Sequence, residues 1–250
     1  MLLWEILGDL TQRILWIYTL AAVLPAWFLL HYIYCQDRIE KEPLRLLLSL
    51  IVRGVLAALL AAELEGVGMF LLNRLTEGQN MDRHTFVALF AFLVVAVSEE
   101  GMKYLLMKHR TWNDPNFNYR FDGIVYAVFT SLGFAAYENI LYVFRNGLSV
   151  ALPRALLAVP GHMSFAVVMG VWYGRSKWLE RKGHNVSASL SRKIGFLLAV
   201  SLHGFYDTCA MIGSQSSMIV FLVFVIAMFL SVFRIVRKES EKDGPIGETP

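Results

Sequence analysis

Long apolar runs recur along the whole chain, and each approaches the roughly 20 residues a helix needs to cross the hydrocarbon of a bilayer. Their approximate limits are Ile14–Tyr34, Leu44–Leu72, Phe86–Met107, Phe121–Phe144, Val150–Tyr173, Ile194–Ile212 and Ser217–Val236. A segment surrounded by lipid must satisfy its own backbone N–H and C=O groups, which leaves helices and closed barrels as the only spanning structures. Continuous apolar runs of this length predict helices. The expected fold class is therefore all-α: a polytopic transmembrane helix bundle of about seven spans, held in a lipid bilayer as an integral membrane protein. The second run is long, so it either tilts or breaks near Glu63 and Glu65. The composition agrees, with 56% hydrophobic and only 17% charged residues, where a soluble domain carries about a quarter charged. No basic patch with interleaved aromatics is present, so nucleic acid is excluded as a partner.

Basic residues set the expected orientation. The loops after spans one, three and five, together with the tail, hold sixteen Lys and Arg, and the opposite set holds five. The positive-inside rule then predicts an outer N-terminus and an inner C-terminus. Residues 1–13 carry Glu5 and Asp9 before Arg13, the wrong charge for a signal peptide, and are expected to form an interfacial segment with Trp4 as an anchor. Residues 14–236 form the membrane domain. Residues 237–250 are polar, with Gly and Pro, and are expected to be a disordered tail inside the cell. The 174–193 stretch is expected to be the longest loop, and Trp112, Trp172 and Trp178 to be interfacial belt residues. Cys35 and Cys209 fall near opposite faces, which argues against a disulfide.

Four consecutive spans carry side chains that lipid would reject. Span three has Glu99, Glu100 and Lys103; span four has Glu138 and Asn139, with Asp122 at its start; span five has His162; span six has His203 and Asp207. Each charge facing lipid costs roughly 2.5–3.5 kcal/mol on insertion scales, so the set is expected to converge inside the bundle. Lys103 lies one helical turn from both glutamates and is expected to pair one of them, leaving the other available. His203 and Asp207 share a face. Small residues such as Gly123, Gly133, Gly170 and Gly174 permit close packing, and Pro160-Gly161 opens space beside His162. Glu63 and Glu65 are expected at the interface. The predicted boundaries put Glu100 toward the inner face and Glu138 toward the outer one, with the histidines midway.

This set of side chains suits activation of water. A carboxylate in a low-dielectric site can take a proton from water and return it to a leaving group. Histidine can stabilise an oxyanion or bind a metal, and two histidines plus a carboxylate form a known catalytic zinc set. Charge balance leaves the metal open, since a divalent ion or extra protons neutralise the cluster equally well. Intramembrane acids and histidines also serve proton- or ion-coupled transporters, although no inverted repeat is visible. Haem ligation by the two histidines and a non-catalytic scaffold are the other readings.

The segments Glu99-Glu100-Gly101-Met102-Lys103, Phe121-Asp122-Gly123-Ile124-Val125-Tyr126, Gly133-Phe134-Ala135-Ala136-Tyr137-Glu138-Asn139, His162 with Gly170 and Gly174, and His203-Gly204-Phe205-Tyr206-Asp207 resemble, in order, the motifs of the PrsW family of intramembrane proteases. Ala127 stands where that pattern has glycine. The resemblance covers about residues 98 to 207 and implies kinship with the CAAX-prenyl endopeptidases and bacteriocin-processing proteins. It implies a membrane-embedded peptidase, of metallo- or glutamic type, in a bacterial cytoplasmic membrane, cutting a single-span, anti-sigma-factor-like membrane protein. By motif match, Glu99, Glu100, Glu138, His162 and His203 are the catalytic candidates, supported by Lys103, Asn139 and Asp207. If zinc or another divalent metal is bound, the expected ligands are His162, His203 and Glu100.

Overall fold

In a computed structural model the described residues form seven apolar helices long enough to span a membrane. The structure describes residues 2–247, with side chains from Gln12 onward. The helices are α1 (Leu2–Gln36), α2 (Leu44–Thr76), α3 (Arg83–Thr111), α4 (Asp122–Asn146), α5 (Leu148–Arg181), α6 (Asn185–Ile212) and α7 (Gln215–Glu241). Among the described residues there is no strand, only a single isolated bridge between Tyr119 and Pro245. Local chemistry fixes several ends. Asp82 caps α3 by accepting from the amides of His84 and Thr85, and Ser214 caps α7 through Ser217. Gly147 and Gly213 turn the chain after α4 and α6 with φ of 82° and 64°, a region where only glycine is unstrained. Two helices change winding. α3 is a π-helix over Phe90–Ala96, and α5 is one over Arg154–Ala158.

α4 is the hub. The apolar window of α4 is 72% buried, against 11% for α1 and 28% for α7. Glycine pairs seat its neighbours. A Cβ on Gly54 of α2 would lie 2.0 Å from the carbonyl oxygen of Thr130, and one on Gly123 of α4 would lie 2.5 Å from the amide nitrogen of Gly174 in α5. The backbones therefore touch, which any side chain would prevent. Ala127 lies on the same buried helix and is fully enclosed.

All seven expected spans are present, but their ends differ. α2 runs unbroken past Glu63 and Glu65. α5 continues to Arg181, so the expected long loop shrinks to the turn at residues 182–184. The reason is local pairing: Lys177 donates to the Trp112 carbonyl at 2.7 Å and to Glu180 at 2.9 Å, and Ser176 donates to the Ala188 carbonyl at 2.6 Å. Trp112 and Trp178 are partly buried and pack against the core. Trp4 and residues 248–250 lie outside the described side chains. Cys35 is exposed and Cys209 buried, both as free thiols.

The tail expected to be disordered is ordered as far as it is described. α7 carries on to Glu241. Beyond it, Phe121 donates its amide to Asp243 at 2.9 Å, Arg120 to the Gly244 carbonyl at 3.3 Å, and Ile246 to the Asn118 carbonyl at 2.5 Å. Beside this seam lie Asp37 and Glu42 of the α1–α2 connection, both buried. Tyr126 donates to one Glu42 oxygen at 2.9 Å. The other Glu42 oxygen and Asp37 Oδ2 have no hydrogen-bond partner. Burial pushes the Asp37 carboxyl up to about 6, and the Glu42 carboxyl up to about 7. A carboxyl whose native pKa exceeds its unfolded one favours the protonated native state. Its contribution is full below the unfolded value near 4 and is lost as pH rises through about 6 and about 7. The seam should accordingly loosen between about pH 4 and about pH 7. Hydrogen exchange at the Arg120 and Ile246 amides, corrected for intrinsic rates, should quicken over that interval relative to α2. The pair of changes Asp37→Asn and Glu42→Gln should flatten the dependence.

Candidate functional site

Lys103 is the centre of the polar cluster. It is 3% exposed, and its ammonium lies 3.0 Å from Glu99 Oε2, 2.8 Å from Glu100 Oε1 and 3.1 Å from His162 Nδ1. The expected single pairing is thus a double one, because an ammonium has three donors and all are used. The face of Phe134 lies 3.9 Å away and completes the shell.

The Lys103 contact decides the state of His162. An ammonium can only donate, so His162 Nδ1 is the acceptor and Nε2 carries the proton. Nε2 then donates to Glu138 Oε2 at 3.1 Å. The same oxygen accepts from Arg154 Nη2 at 2.8 Å. Asn139 accepts from Arg154 Nε at 2.9 Å and donates to the Ala22 carbonyl at 2.7 Å, tying α4 to α5 and α1. On α6, His203 Nδ1 lies 3.0 Å from Glu100 Oε1, and Nε2 lies 3.3 Å from Asp207 Oδ2 and 3.9 Å from Glu99 Oε2. Phe165 stacks on its ring at 4.7 Å between centroids. Gly204 lets this helix approach α3, since a Cβ there would meet the Phe92 ring at 2.5 Å.

A cavity of about 580 Å³ opens onto the cluster and is lined by Glu65, Glu99, Glu138, Arg154, His162, His203 and Asp207 among apolar neighbours. Glu100 does not line it. At 1% exposure it stands behind, spending Oε1 on Lys103 and His203, while its Oε2 is buried without a partner. The depth conflict between Glu100 and Glu138 disappears, because α3 runs on to Thr111 and carries its glutamates toward mid-bundle. Asp122 is not drawn in. It sits at the far end of α4, accepting from the amides of Asn118 and Tyr119 at 3.0 and 2.7 Å.

Glu65 and Arg154 also line the cavity, although sequence reading places Glu65 at an interface and Arg154 only in an outer charge count. Both leave a signal in the chain. Glu65 follows the buried Ala57 and Ala61 at four-residue spacing on one face of α2. Arg154 falls inside the expected fifth span, where a charge needs a partner.

Glu99, His162 and His203 each offer a ligand atom within 4.8 Å of the others, and all three are buried. Two imidazoles and a carboxylate fit a divalent catalytic metal with one position open. Sequence reading expects Glu100 in that trio; the geometry has Glu99 there, because Glu100 is turned to the opposite nitrogen of His203. From that position Glu100 can fix the ring while Nε2 ligates, as outer carboxylates do at metal sites. A bound ion would take the His162 lone pair from Lys103. The charges fit too. Glu99, Glu100, Glu138 and Asp207 face Lys103 and Arg154, leaving two negative charges that one divalent ion or two imidazolium protons would neutralise.

Comparison with known proteins supplies the family. The model of the "PrsW family intramembrane metalloprotease" matches residues 42–233. Proteins named Protease PrsW are similar along most of the chain. The one from Geobacillus kaustophilus is 36% identical over 188 residues, 75% of this chain and 76% of the relative. The one from Halalkalibacterium halodurans is 30% identical over 231 residues, 89% and 97% of the two chains. No solved structure matches. Seven helical spans and bacterial relatives make the chain an integral protein of a bacterial cytoplasmic membrane.

Removing Lys103 tests the cluster itself. Lys103→Met should destabilise the protein by about 3–5 kcal/mol, because it strands two buried carboxylates. Thermal unfolding in detergent should show a large fall in Tm. Adding Glu99→Gln and Glu100→Gln to the same chain should restore much of it.

Proposed function

Because the chain belongs to the PrsW family of intramembrane proteases, and is by that membership a membrane-embedded peptidase, we propose that it cleaves a single-span, anti-sigma-factor-like membrane protein by attack of water activated at Glu99. The observation that carries this reading is that Glu99 is the one member of the paired glutamates on the cavity wall. Its Oε2 is held by Lys103, which leaves Oε1 to take the proton from a water in the cavity and pass it to the departing amine. His203, fixed by Glu100 and stacked on Phe165, holds Nε2 on Asp207 at the edge of the same space, and that N–H, given up by Asp207 to a developing oxyanion, would stabilise it. Glu138, accepting from Nε2, orients the His162 ring whose tautomer Lys103 sets at Nδ1. A divalent metal bound by Glu99, His162 and His203 would add Lewis acidity at the scissile carbonyl. The apolar cavity lining, including Phe90, Leu157 and Phe221, suits an uncharged stretch of substrate.

Glu99→Gln should lower cleavage of a single-span reporter in proteoliposomes, counted per folded molecule, by roughly 10²–10⁴-fold, beside a lower Tm from the lost charge on Lys103. Cleavage at the parental rate would overturn the assignment. Metal analysis of purified protein, beside a chelation and zinc-readdition series, separates the two subclasses. Loss and recovery of cleavage marks a metallopeptidase, and indifference to chelator marks a glutamic one.

A further inference from the structure

Arg154 sits on α5 eight residues before His162, and in a regular helix that spacing would set the two side chains about 80° apart. The Arg154–Ala158 turn is π-wound, with the Val159 amide bonded to the Arg154 carbonyl. Such a turn absorbs one extra residue. The two side chains are then offset as if seven residues apart, within about 20° of one another on the same face. Glu138 Oε2 bridges them, at 2.8 Å from the guanidinium and 3.1 Å from the imidazole. The guanidinium is itself clamped, with Nε on Asn139 at 2.9 Å and its flat face 3.9 Å over Tyr142. A carboxylate left to rotate would let the imidazole turn. Here the guanidinium fork is shared: Nη2 gives Glu138 its single bond, while Nε on Asn139 and the Tyr142 ring fix that donor in place.

From this geometry we infer that Arg154 is a positioning residue for the peptidase site, locking Glu138 and through it the ring of His162. The inference rests on the peptidase reading for its effect on rate, and on geometry alone for its effect on the imidazole. An outer carboxylate–histidine pair contributes through orientation, so its loss typically lowers activity ten- to a hundredfold, by about that factor in the chemical step. A guanidinium that contacted substrate would act on binding instead.

The test uses the full chain with Arg154→Met and Arg154→Lys, each alone and combined with Glu138→Gln. Arg154→Met should lower kcat for the single-span reporter roughly ten- to a hundredfold with KM within about twofold. Arg154→Lys keeps the charge but not the fork, and should recover part of the loss. In the Glu138→Gln background, Arg154→Met should add little, because both changes break one coupling. A raised KM at unchanged kcat, or full additivity of the two losses, overturns the proposal. So does a fall in Tm with kcat per folded molecule intact. The ¹⁵N spectrum of histidine-labelled protein gives a reading that needs no substrate. With Lys103 still donating to Nδ1, His162 should keep a protonated Nε2 in both chains, but its Nε2–H resonance should shift and broaden in Arg154→Met as Glu138 loses its hold. An unchanged His162 signal overturns the proposal. A parent protein that cuts no single-span reporter while His162 still responds overturns the peptidase reading alone.

Discussion

A single ammonium set between two carboxylates and an imidazole organises this bundle. Each of these groups would be costly alone in a bilayer, and removing any one leaves the others short of a partner. Lys103 gathers Glu99 and Glu100 from its own helix and His162 from α5, and Glu100 in turn holds His203 of α6. The cluster therefore requires α3, α5 and α6 to meet at one depth. The apolar surfaces of the helices can slide past one another with little penalty in lipid, so these polar contacts fix the register that packing alone leaves loose.

Close packing makes that meeting possible. Glycines on α2, α4 and α5 bring the backbones into contact, and Gly204 does the same for α6 against α3 beside His203. The π-wound turns lie in two of the four helices that carry the site, one ahead of Glu99 and the other ahead of His162. Both change which face the downstream residues present. The two devices serve different ends: glycine sets distance, and the inserted residue sets direction.

The spans are legible in the chain because lipid imposes a long apolar run on every crossing, and that requirement leaves little room for ambiguity. Their ends are not, because helices such as α5 continue past their apolar runs on pairings like Lys177 with Glu180 and the Trp112 carbonyl, which hydropathy does not register. The site is legible as a set of residue types. Glu99, Glu138, His162, His203 and Asp207 are all on the cavity. The division of labour between Glu99 and Glu100 is not legible, since adjacent residues on a helix point about 100° apart and only the packed neighbours decide which one meets the cavity. Arg154 shows the same limit, because a π turn carries no spacing rule that a regular helical reading would find.

The stitching of residues 243–246 to the start of α4 has a practical corollary. α4 also bears Glu138 and Asn139. Anything fused directly behind Pro245, such as an affinity handle or a fluorescent reporter, pulls on the N-terminal end of the helix that aims an active-site carboxylate. The turn at residues 182–184 has open space around Gly183 but holds it at a φ of 80°, so a handle placed there must leave that glycine as it is.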